Sequence, residues 1–510
     1  MTLLHDETWM EIFSYFEDYM PLKGWWMFGE QLEHEGRKTL HALSLVCHHF
    51  QRIAQPILYR SLLLEAIDDI GERQECLMRT LYEHPELGQY ARNIALDDGF
   101  TRYRDQSMRY QYKKHPQKDV VELALESLRV RRSAGQRIKS FHLNLHGSPV
   151  AYTPRVRFVD FTLFNDENLL VAMLSGCLDV DEGLMEEAEG QETTNEGEEA
   201  ESNAKHMPLL NRRISTDYSF PHLTEVRVRG GGMESIASVL TIEPILLHPT
   251  LKILRTLGIL WNGEESEKLK WPDRVSNLQY LDLKESITDA AGLRSVLTRC
   301  PSLNGVSIEM AGWKREHGRD ENSWKVNLDD FHHILKELGR GLEKFDIHTM
   351  EYNDSPIHST DLKGRLGSLQ GLSALKHLKC AKMDLLGDPR KPVNEVNPLA
   401  LRFSEALPLS LETLHLYYEV KYRSLARPPS KQSINEELHS FIVEDKLPNL
   451  REIQIERVYN EKREGEWDFD LKMDGWEVTF RDEHVGERYT STGCMRTFLI
   501  LSKKQLNSLD

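Results

Sequence analysis

The sequence predicts an α/β protein, with a small helical block at the amino end and a long array of short strands and helices after it. Three observations lead there. An apolar pattern, L-x-x-L-x-L, recurs through the middle of the chain. Helical apolar periodicity fills the intervals between its copies. Two amphipathic blocks stand ahead of the array, within the first sixty residues. A chain of 510 residues is long for one core, so several units or one elongated array are expected.

The copies run in order. Leu223-x-x-Val226-x-Val228 is followed by Leu278-x-x-Leu281-x-Leu283 and Leu303-x-x-Val306-x-Ile308. Leu342-x-x-Phe345-x-Ile347, Leu375-x-x-Leu378-x-Cys380, Leu411-x-x-Leu414-x-Leu416 and Leu450-x-x-Ile453-x-Ile455 complete the set. Leu251 to Ile259 holds a further copy in either of two registers, Leu251/Leu254 or Leu254/Leu257/Ile259. The last two apolar residues of each copy lie two apart and share one face of a short strand. The first packs beneath the turn into it. A proline stands two residues earlier at Pro221, Pro249, Pro301 and Pro448, where it stops a preceding helix. This pattern resembles the strand signature of leucine-rich repeats. Its long, uneven intervals of 25 to 39 residues are similar to irregular arrays of that class.

Helices are expected between the strands, around Ile236, Val239 and Leu240, and around Leu293, Val296 and Leu297, with Thr288-Asp289 as caps. Others are expected around Ile334, Leu335 and Leu338, and around Leu438, Phe441 and Ile442. Weaker copies precede them. Leu77, Met78, Leu81 and Tyr82 suggest a helix before Tyr90-x-x-x-Ile94-x-Leu96. Val121, Leu125 and Leu128 suggest another before Ile138-x-x-Phe141-x-Leu143, and Leu169, Leu170, Met173 and Leu174 a third. The array is therefore drawn over residues 65–460, with an acidic, solvated insertion at about 179–204. From 461 to 510 the pattern gives way to alternating Trp467, Phe469 and Leu471, then Asp474-Gly475 and Trp476 to Phe480. A β-hairpin turning at Asp-Gly, capping the open end of the array, is the expected form.

Residues 1–60 read as helices too few to enclose a core and still leave an apolar face spare. In the first block stand Leu4, Glu7, Trp9, Ile12, Phe13 and Phe16; in the second Leu40, Leu43, Val46, Cys47, Phe50, Ile53 and Ala54, closed by Leu58-Tyr59-Arg60. In order and spacing these resemble the F-box, a three-helix motif. His5 replaces the family's proline, and the stretch from Glu17 to Lys38, carrying Trp25-Trp26-Met27-Phe28, is longer than the family's turn. An F-box followed by leucine-rich repeats resembles the substrate receptors of SCF-type ubiquitin ligases. The resemblance implies a non-catalytic subunit whose F-box binds a Skp-family adaptor, and through it a cullin, while the repeats hold a protein substrate. It implies adaptor contacts at Leu4, Trp9, Ile12, Phe13, Phe16, Leu40, Leu43, Val46 and Phe50, some of which pack internally instead. The alternative is an interaction scaffold of leucine-rich repeats with a vestigial F-box.

Other chemistry finds little footing. No phosphate loop, H-E-x-x-H or G-x-S-x-G is present, and neither a catalytic residue nor a cofactor or metal site is expected. Cys47-His48-His49 are consecutive, so on a helix they cannot close one tetrahedral site. Six scattered cysteines without a C-x-x-C pair suit a reducing compartment, cytoplasmic or nuclear. The formal charge of -17 disfavours nucleic acid and acidic membrane as partners, and no signal peptide or spanning segment is read. A basic stretch with interleaved tyrosines, including Arg102, Arg104, Arg109, Lys113 and Lys114, reads as a solvated loop or as a grip on an anionic partner. The acidic run from Asp179 to Glu201 could mask it.

Overall fold

The computed structural model describes residues 4–17, 35–65, 76–77, 80–81, 83–97, 153–163, 220–230, 236–269, 276–310, 326–348, 362–387, 401–418, 438–459, 474–485 and 494–504. It is a mixed α/β structure built on one large, mostly parallel sheet. Helices α1 (Asp6–Ser14), α2 (Glu35–Ser44) and α3 (His48–Leu58) come first. The strands follow: β1 (Ser61–Glu65), β2 (Asn93–Asp97), β3 (Phe158–Thr162), β4 (Glu225–Arg229), β5 (Ala237–Ser238), β6 (Ile253–Leu257), β7 (Ile259–Leu260), β8 (Tyr280–Ser286) and β9 (Gly305–Met310). Then come β10 (Val326–Asn327), β11 (Lys344–His348), β12 (Leu362–Lys363), β13 (His377–Ala381), β14 (Thr413–Tyr418), β15 (Glu452–Tyr459), β16 (Trp476–Val485) and β17 (Cys494–Lys503). The 13-stranded sheet runs β1-β2-β3-β4-β6-β8-β9-β11-β13-β14-β15-β17-β16, almost in chain order, and stays open. Only β17 pairs antiparallel, with β15 and β16.

Two apolar rows cross this sheet in strict register. Leu62, Ile94, Val159, Val226, Leu254, Leu281, Val306, Phe345, Leu378, Leu414 and Ile453 are successive partners. Two residues on, Phe161, Val228, Thr256, Leu283, Ile308, Ile347, Cys380, Leu416 and Ile455 form the second row. Both rows are buried. Period-two alternation forces this: one face of every strand is apolar, and stacking parallel strands joins those faces into one core. The Leu251 copy resolves to Leu251-x-x-Leu254-x-Thr256, because Thr256 occupies the second row and its hydroxyl donates to Asp282 O at 3.4 Å.

In the copies preceded by proline the first apolar residue closes a turn. Leu223, Leu251, Leu303 and Leu450 donate their N–H to the carbonyls of Phe220, His248, Cys300 and Leu447 at 3.0–3.2 Å. The prolines at 221, 249, 301 and 448 thus sit at the second turn position, which their fixed φ suits. Between strands run helices Val239–Leu246, Gly263–Lys268, Ala290–Arg299 and Leu328–Leu338, capped in turn by Ser238, Asn262, Asp289 and Asn327. Helix Ala290–Arg299 lies tight on its neighbour: a Cβ on Gly292 would fall 2.0 Å from Trp261 O.

Several expectations are corrected. In the second rung Ala91, buried, takes the first apolar position, and Tyr90 is exposed. The third rung is Val156-x-x-Val159-x-Phe161, preceded by Pro154; the copy expected at Ile138 lies outside the described residues. The sheet begins at Ser61 rather than 65, because α3 runs into β1 through Tyr59 and Arg60. At the far end Asp474-Gly475 forms a turn just before strand Trp476–Val485, with Gly475 at φ +81°, and the strand expected at 467–471 lies outside the described residues. Strand Trp476–Val485 pairs antiparallel with Cys494–Lys503, a partner not expected from the sequence. The reason is packing: Leu499 and Leu501 extend the two buried rows opposite Ile455 and Ile453.

Candidate partner-docking face

Contrary to the expectation from so short a stretch, the three amino-terminal helices enclose a small core of their own and still leave apolar side chains exposed. Phe13, Leu40, Ile53, Ala54 and Ile57 are buried together, with Trp9, Phe16, Leu43, Phe50 and Leu58 half-buried around them. Spacing explains the choice: Trp9, Phe13 and Phe16 fall on one side of α1. The Trp9, Phe13 and Phe50 rings meet at centroid distances of 5.8, 4.8 and 5.3 Å, tilted or edge-on. The backbones of α1 and α2 approach closely, since a Cβ on Gly36 would lie 2.5 Å from Phe16 O. His5 offers α1 no side-chain cap, whereas the Cys47 thiol accepts the Phe50 N–H at 3.5 Å and caps α3. Asp6 pairs with Arg52, and Glu17 with Arg60 at 2.6 Å, tying α1 to α3 and its exit.

What this core leaves outside is apolar. Among the described residues ten large hydrophobics are exposed, and six of them, Leu4, Met10, Ile12, Tyr15, Leu45 and Val46, belong to this unit. Val46 is 65% and Leu45 72% exposed. These exposed apolar side chains are the candidate docking surface of the unit. The nine residues expected to touch an adaptor therefore divide. Leu4, Ile12 and Val46 are free, and Trp9, Phe16, Leu43 and Phe50 are half-buried. Phe13 and Leu40 are interior, because a unit this small needs them to close its own core. Met10, Tyr15 and Leu45 were not anticipated. Tyr15 lies three residues from Ile12, on the same flank of α1, and that spacing is its signal.

The sheet's other face is polar, and many of its charged groups pair across strands. Asp160, Arg227, Arg255, Asp282, Ser307, Asp346, Lys379 and His415 form one register row across it. Arg229 holds Asp160 through two nitrogens at 3.1 and 2.8 Å. Arg255 reaches Glu225 at 2.9 Å and Asp282 at 3.3 Å, and Lys284 reaches Glu309 at 3.1 Å. Tyr417 donates to Asp346 at 3.3 Å, and His415 Nε2 lies 2.9 Å from Glu456 Oε2. Burial pushes the Asp282 carboxyl up and the His348 imidazole down to about 4. These groups order the face by pairing with one another.

The basic stretch from Arg102 to Lys114 and the acidic run from Asp179 lie outside the described residues. Among the described residues no cluster could hold a metal, and no helix is long and apolar enough to cross a membrane. Cys47 is exposed and caps α3 beside His48 and His49. No protein-family model matches the chain, and no curated protein matches it.

Proposed function

We propose that the chain is a substrate receptor of an SCF-type ubiquitin ligase. In this reading the three amino-terminal helices act as an F-box that docks on a Skp-family adaptor. The strand–helix array acts as a leucine-rich-repeat solenoid that holds a protein substrate. The chain contributes no reacting group. It raises the local concentration of a substrate lysine beside a ubiquitin-loaded enzyme carried by other subunits.

The observation that supports this reading is the exposed apolar set Leu4, Ile12 and Val46, with Met10, Tyr15 and Leu45, on a unit that has spent its buried residues on its own core. Docking would remove those side chains from water, at roughly 25 cal/mol per Å² of apolar surface covered. The test is co-purification of the full chain with a recombinant Skp-family adaptor. Wild type is expected to retain the adaptor. Ile12→Asp and Val46→Asp, at positions outside both cores, are expected to lose it while their thermal unfolding stays unchanged. Retention by both variants would overturn the docking face, and failure of wild type to bind would leave the scaffold reading in its place.

A further inference from the structure

The first three rungs of the sheet gather four arginines, three of which pair with no carboxylate among the described residues. Arg60, Arg92 and Arg157 each stand one residue before Ser61, Asn93 and Phe158, which pair in register across β1, β2 and β3. Their backbones are locked together: the Arg92 N–H donates to Arg60 O at 2.8 Å, and the Arg157 N–H to Arg92 O at 2.7 Å. Neighbouring strands lie about 4.8 Å apart, so three cationic residues are stacked at strand spacing. Arg155 stands two residues before Arg157, and both are exposed.

Elsewhere on the sheet Arg227, Arg229, Arg255 and Lys284 each have a carboxylate within 3.3 Å. Here, among the described residues, only Arg60 reaches one, Glu17. Arg92 Nη1 donates to the neutral carbonyls of Gln89 and Ala91 at 2.7 and 3.0 Å. Among the described residues neither Arg155 nor Arg157 forms an ion pair. Burial, and then Arg155, Arg157 and Arg60 in turn, pull Arg92 below its ordinary range. Unrelieved repulsion of this kind is destabilising until an anion arrives.

We propose that Arg92, Arg155 and Arg157 form a docking site for an acidic segment of a partner protein. An acidic segment brings several anionic groups along one chain, which matches several cations gathered at the entry of two adjacent strands. Nucleic acid fits less well, because a longer polyanion would also meet the field of a chain carrying -17. The site does not depend on the apolar face of the helices.

Fluorescence anisotropy of the full chain tests this with short labelled peptides. One alternates glutamate and serine, one carries phosphoserine in place of glutamate, and one is neutral; single-stranded DNA is the fourth probe. Wild type is expected to bind an anionic peptide and not the neutral one, with affinity falling as salt rises. Which anionic peptide binds more tightly identifies carboxylate or phosphate as the natural group. Arg155→Glu with Arg157→Glu is expected to weaken that binding on the order of tenfold. The same pair of substitutions should leave thermal stability unchanged or raised, since it removes repulsion. Arg340→Glu, at an exposed arginine elsewhere, should change nothing. Equal affinity in the double variant, or absence of anionic-peptide binding by wild type, would overturn the site. Tighter binding of DNA than of either peptide through these arginines would overturn the class of partner.

Discussion

The helical unit at residues 6–58 and the strand array after it solve the same problem with different success. The array stacks rung on rung, and its two buried rows run to β17, one from Leu62 in β1 and the other from Phe161 in β3. The helical unit has no neighbour of its own kind. It closes a core around five buried side chains and leaves six large hydrophobics in water. The strand array covers its own apolar rows, while the three short helices leave large apolar side chains in water.

The largest contrast should appear on cutting each core. Phe345→Ala, in the first buried row, should cost about 3–5 kcal/mol and lower the cooperative unfolding of the whole array. Phe13→Ala should cost a similar amount, about 3–5 kcal/mol, but melt only the helical unit. Calorimetry should show the array's transition retained. Loss of both transitions together in Phe13→Ala would mean that the two regions are one cooperative body.

The next effect separates the regions by pH. His348 is buried on the array's polar face, where desolvation, partly offset by Glu309 and Glu456, holds its folded pKa at about 4. The unfolded imidazole titrates near 6.5, so between these values the unfolded state binds more protons. Stability is whole above pH 6.5 and is lost as pH falls through 4, by at most about 3 kcal/mol. Denaturant midpoints measured across that window should fall for wild type and fall less for His348→Gln. Parallel curves for the two would remove this histidine from the account.

A smaller effect concerns helix stacking. Gly292→Ala places a methyl against the Trp261 carbonyl and should cost about 1–3 kcal/mol, read as a lowered denaturant midpoint. The smallest belongs to the exposed set: Ile12→Ser and Val46→Ser should change stability by less than about 0.5 kcal/mol. A clear drop in the unfolding midpoint would show that these side chains pack within the unit.

Much of this was legible before any coordinates, and the reasons are local. Where leucine or isoleucine fills every apolar position, as in Leu278-x-x-Leu281-x-Leu283, period two and the turn before it are enough. The copy at Leu251 stayed ambiguous because Thr256 fills an apolar position, a substitution that a backbone carbonyl makes tolerable. Valine in place of leucine hid the rung at Val156, although Pro154 two residues earlier was the same signal read elsewhere. Strand Cys494–Lys503 was missed because its pairing is antiparallel and carries no preceding L-x-x turn. In the helical unit the motif identified which residues are apolar, and only the packing separated Phe13 and Leu40 inside from Ile12 and Val46 outside.

Hydrogen exchange with and without a Skp-family adaptor tests the docking face most directly. Added adaptor should slow exchange in α1 and in residues 43–50, and leave the array strands as they were. Unchanged exchange at those helices, with adaptor in excess, would contradict the claim that their uncovered apolar surface is where a partner binds.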